Sequence, residues 1–89
     1  MKKLTVQEIY DIYVKEIKQF LRVHKDGDPE ELINQAEKSA IANFLALQLL
    51  DEIEYDMADY IEATGIFFYN ERDKYIEQIK REQAKRRKK

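Results

Sequence analysis

Apolar residues recur along this chain at helical spacing, in three stretches. The first stripe is Val6, Ile9, Tyr10, Tyr13, Ile17, Phe20 and Leu21, which places them on one face of a helix. Thr5 and Glu8 precede it with the spacing of a capping box, so the helix is expected to start at Thr5. It should end near Lys25, with Gly27 able to take a left-handed conformation beyond it. The next signal is Asp28-Pro29-Glu30-Glu31. An aspartate caps, a proline sits where a missing N–H costs nothing, and acids fill the positive first turn. From there neither glycine nor proline appears until Gly65. Apolar positions run Ile33, Ala36, Ala40, Phe44, Leu47, Leu50, Ile53, Met57, Tyr60 and Ile61. Their mean step of about 3.5 residues is that of a helix holding one seam against a neighbour. The pattern predicts one long helix, about 29–64.

The third helix is expected to start either at Ile66 or at Asn70, and to run to Arg86 with Ile76, Ile79 and Tyr75 inward. The reading is an all-α protein of three helices (about 5–25, 29–64 and 66 or 70–86) in an antiparallel bundle. Residues 1–84 form its single domain, and 85–89 a basic tail frayed beyond it. Length bears on assembly. A helix over 29–64 would be about 54 Å long. A compact globule of this size is roughly 30 Å across. The long helix would overhang its own domain, leaving one side uncovered: either it bends and the chain closes on itself, or two chains share the seam, and a homodimer is the favoured outcome.

The stretch Gly65-Ile66-Phe67-Phe68-Tyr69-Asn70 packs four bulky residues in a row. No single face of a helix can hide all four. Two readings stand: a hydrophobic plug closing the junction of helices two and three, or an interface anchor for a second copy or another protein. The expected protein interface is Ile66, Phe67, Phe68 and Tyr69 with Phe44, Leu47, Leu50 and Met57 on the seam.

Charge refines this picture. Formal net charge is −2, but Asp51–Glu62 holds six acids and no bases, while Lys80–Lys89 holds seven bases and one acid. Lys85, Arg86, Arg87, Lys88 and Lys89 are candidate phosphate contacts for nucleic acid, against the plainer reading of a solvated helix end. Glu52, Asp56 and Asp59 should share one solvated helix face. In a bundle, di-iron sites use Glu-x-x-His pairs. This chain has one histidine, His24, and no such pair, so no metal or cofactor is expected. Asp26–Asp28 is too short for a calcium loop. Thr5, Ser39, Thr64 and His24 are scattered and suggest no catalytic set.

There are no cysteines, which removes disulfides and thiolate chemistry and fits a reducing compartment, the cytoplasm by default. No run of about 18 apolar residues exists to span a membrane. In composition (short, rich in Lys, Glu, Ile and Tyr, cysteine-free) the chain is similar to many small proteins of Gram-positive bacteria and their phages or plasmids. No motif carries that likeness. It implies at most an accessory protein that binds a host or virion protein. The expected function is a non-enzymatic protein-interaction module: an adaptor, inhibitor or assembly chaperone. The alternative is a nucleic-acid-binding accessory protein using the basic arm.

Overall fold

Two short helices lie along one long rod. The computed structural model describes residues 3–87. Helix α1 is Val6–Val23 and α2 is Pro29–Leu49. The rod then runs without a break through α3 (Met57–Ile66), a π turn (Phe67–Glu71) and α4 (Arg72–Arg87). The protein is all-helical. Both helix starts lie where the sequence places them. Glu8 N–H donates to Thr5 Oγ1 at 3.2 Å, and Thr5 N–H donates to Glu8 Oε1 at 3.1 Å. Asp28 Oδ2 accepts from Glu31 N–H at 3.1 Å. Gly27 takes φ 118 in the turn between the helices.

The expected long helix over 29–64 is not what forms. α2 ends at Leu49, and Asp51 turns the chain with φ 57. Aspartate enters this left-handed region more readily than most residues, so no glycine is needed. The turn returns Tyr55 to the core. Its ring lies 5.7 Å from Phe44, edge-on, and 5.4 Å from Tyr60, stacked, while its hydroxyl donates to Gln48 Oε1 at 3.2 Å. Leu4 N–H donates to Glu54 O at 2.7 Å and ties the N-terminus to the same loop. The regular apolar step across residues 47–57 is therefore a coincidence of spacing. It joins a half-buried Leu47 to a Leu50 and a Met57 that are largely exposed.

The second correction follows from the first. The third helix starts at Met57, not at Ile66 or Asn70, and Gly65 lies inside it. The inward stripe of the rod is Tyr60, Ala63 and Phe67, then Arg72, Ile76, Ile79 and Gln83. A regular α-helix would bring Glu71, Lys74 and Gln78 inward after Phe67. The π turn takes up one extra residue, Arg72 N–H donating to Phe67 O five residues back. That single insertion restores the phase of the stripe.

α1 packs on α2 and α3, and α4 packs on α2. Because Leu4 meets Glu54, α1 and the rod run parallel, with α2 antiparallel to both. The core gathers Ile9, Tyr13 and Ile17 from α1, Ile33, Ala36, Ala40 and Phe44 from α2, and Ala63 and Phe67 from the rod. The molecule measures 49 × 24 × 16 Å with a radius of gyration of 14.4 Å. A compact chain of this length has a radius of roughly 12 Å. The overhang expected of α2 is removed by its end at Leu49, and the long element is the rod.

Two expectations test the uninterrupted rod. Gly65 is helical, and a Cβ added there meets nothing within 4 Å. Gly65→Ala should therefore raise stability in urea unfolding by about 0.5–1 kcal/mol. Loss of stability would show that a helix end lies at Gly65. Deleting Asn70, exposed in the π turn, should let the rod become regular α-helix in phase, changing stability by no more than about 1 kcal/mol. Deleting Gln78 from α4 should rotate Ile79 and Gln83 out of the core and cost more than about 3 kcal/mol. Equal costs would refute the phase argument.

Candidate interaction surfaces

The residues expected at the interface divide into two groups. Phe44 and Phe67 are fully buried and have no surface to offer a partner. Phe67 meets Tyr13 edge-on at 5.6 Å and Tyr75 at 5.4 Å. The aromatic run is thus a plug through Phe67, with Phe68 53% and Tyr69 84% exposed beside it. Leu47 is half-buried. Leu50, Met57 and Ile66 reach the surface.

The larger apolar surface includes residues the sequence reading did not single out. Ile41, Leu45 and Leu49 repeat every four residues on the outer side of α2, and all are exposed. Met57, Ile61 and Phe68, spaced by four and seven residues, are likewise exposed on the rod. Arg72 shows that these two strips adjoin. Its Nε donates to Glu37 Oε1 at 2.9 Å, it also bonds Asn34, and its guanidinium sits 5.6 Å over the Phe68 ring. Glu37 lies one turn before Ile41 on α2, so Phe68 and Ile41 lie side by side. α1 covers the opposite side of this layer. A signal for this face was present in the sequence: from Ala40 to Leu50 the polar side chains are Asn43 and Gln48. A helix apolar all round belongs between two layers.

Arg72 also marks the boundary of the face. Its pair with Glu37 is largely buried, at 14% and 17% side-chain exposure. Tyr13 lies close by, and its hydroxyl is held well above the usual tyrosine pKa, first by burial and then by the charge of Glu37. The pair therefore closes the groove between α2 and the rod where apolar surface gives way to polar.

The acidic run does not form the single face expected of it. Glu52 lies in the α2–α3 loop. Asp56 is the N-cap residue of α3, and its carboxylate lies 2.7 Å from Lys3 Nζ. At the other end, Lys85, Arg86 and Arg87 form the last turn of α4, whereas Lys88 and Lys89 lie outside the described residues. Arg86 donates to Lys25 O at 2.7 Å and lies 3.5 Å from Asp26. Gln83, 7% exposed, donates to Lys25 O at 3.0 Å and Gly27 O at 2.8 Å. Together they fasten the α1–α2 turn to α4, a role that no sequence signal assigned to them. His24 stacks on Phe20 at 4.2 Å. Among the described residues, no three or more His, Cys, Asp or Glu side chains stand together as a metal site. Among the described residues, no helix is long and apolar enough to cross a membrane.

Arg72→Met should cost about 2–4 kcal/mol in chemical unfolding, because it leaves Glu37 buried beside Tyr13 without its counter-charge. The double variant with Glu37→Gln should recover part of that loss; an Arg72→Met protein as stable as the parent would remove the pair from the account. No protein-family model, curated protein or solved structure matches the chain.

Proposed function

We propose that this chain is a non-enzymatic protein–protein interaction module, working in the cytoplasm through the apolar face of α2 and α3, and that a second copy of itself is the first partner on that face. One observation carries the reading: Ile41, Leu45, Leu49 and Leu50 at the end of α2, and Met57, Ile61 and Phe68 on the rod, are each at least 40% exposed. At roughly 100 Å² apiece they offer about 700 Å², close to the ~800 Å² that each partner buries in a standard interface. Monomeric soluble proteins rarely leave a patch of that size uncovered. A two-fold pairing of the patch with itself makes a closed assembly, which would cover the apolar surface of both copies. The polar ends of the rod then remain for other partners, as in an adaptor or assembly chaperone.

The nucleic-acid reading has less to support it. Arg86 is engaged with Lys25 and Asp26, which leaves a shorter arm for phosphates than the sequence offers.

Light scattering on a sizing column at moderate salt tests the proposal. The expected mass is twice the 10.7 kDa of the chain. Ile61→Glu, an exposed position, should halve that mass while far-UV circular dichroism stays helical. A parent protein that remains monomeric at about 100 μM would rule out the second copy, since a functional dimer of this size should form well below that concentration.

A further inference from the structure

We propose a second docking site, independent of the apolar face: the groove between the C-terminal half of α1 and α4 receives an acidic amphipathic helix from a partner protein. After the π turn, α4 leans on α2, while α1 packs on α2 and α3. The gap left between α1 and α4 is a groove of about 670 Å³. Its floor is apolar, made by Leu21 and Tyr75, both half-buried, and the buried Ile79. Its α1 wall carries Lys18 and Arg22, with Lys25 in the turn just beyond, and none of the three makes an ion pair among the described residues. Lys74 and Arg86 stand on the α4 wall, each beside a carboxylate of its own chain.

Three unpaired cations in a row beside an apolar floor match one kind of occupant. A helix with apolar residues at every third or fourth position would fill the floor, and acids flanking that stripe would meet the α1 wall. From Glu71 to Arg86 the α4 wall runs about 22 Å, or roughly four helical turns. Glu71 and Glu82 decide between this ligand and nucleic acid. Both stand in the same groove. A phosphate backbone following the groove must pass both carboxylates with a charge at every step. An amphipathic helix can place uncharged positions opposite them.

The test uses the full chain and a fluorescent synthetic helix bearing leucine on one stripe, glutamate on the edge that meets α1, and glutamine on the edge that meets Glu71 and Glu82. The expected result is binding in the micromolar range by anisotropy, roughly 10-fold or more weaker for the double variant Lys18→Glu, Arg22→Glu, whose side chains are exposed and unpaired. A helix with lysine in place of glutamate should not bind. Ile61→Glu, on the other face, should leave the affinity unchanged, so that failure here and failure of the dimer are separately visible. Three results would overturn the site: no binding up to about 1 mM, affinity indifferent to the double variant, or a single-stranded oligonucleotide binding more tightly than the acidic helix and losing that binding in the same variant.

Discussion

Phe67 lies where α1, α3 and α4 come together, and the rest of the architecture depends on keeping it there. Its ring is fully buried between Tyr13 and Tyr75. On its N-terminal side the rod presents Tyr60 and Ala63 to the core; on its C-terminal side it must present Ile76 and Ile79. A regular helix cannot satisfy both halves, because these positions are one residue out of register. The π turn absorbs that residue, at the cost of poorer backbone hydrogen-bond geometry in one turn. The burial of an aromatic ring and two isoleucines, each worth about 1.5–3 kcal/mol, is enough to hold it.

From that constraint the surfaces follow. The rod is long because it is not broken at Gly65, and its length sets the 49 Å dimension. Above the turn, Met57, Ile61 and Phe68 line up beside the apolar strip of α2. Below it, α4 leans on α2 and opens the groove against α1. Arg72, whose N–H donates the π hydrogen bond to Phe67 O, also joins the rod to Glu37. One local backbone feature thus separates an apolar surface from a polar, basic one.

What the sequence made legible was local chemistry. Thr5–Glu8 and Asp28–Pro29 specify helix starts through bonds formed within one turn, and both are where they were expected. What it hid were two choices made by tertiary packing. The first is the break at Asp51, which carries no glycine or proline and is driven by Tyr55 returning to Phe44 and Tyr60. The second is the passage through Gly65, where a residue that usually ends helices is simply tolerated. The aromatic run misled for the same reason. Read as a junction it was either a connecting loop or the first turn of a new helix, whereas a π turn within one rod buries Phe67 and leaves Phe68 and Tyr69 outside. The apolar face was legible in part, since Ala40–Leu50 is nearly without polar residues, but the seam reading placed Phe44 at an interface rather than in the core.

The uninterrupted rod is the central claim, and backbone NMR tests it most directly. Carbon chemical shifts and amide hydrogen exchange should report unbroken helix from Met57 to Arg87, with protection continuing through Gly65 and non-helical shifts at 50–56. A protected helix running from Pro29 through Glu62, with shifts at Gly65–Asn70 falling to random-coil values, would contradict it.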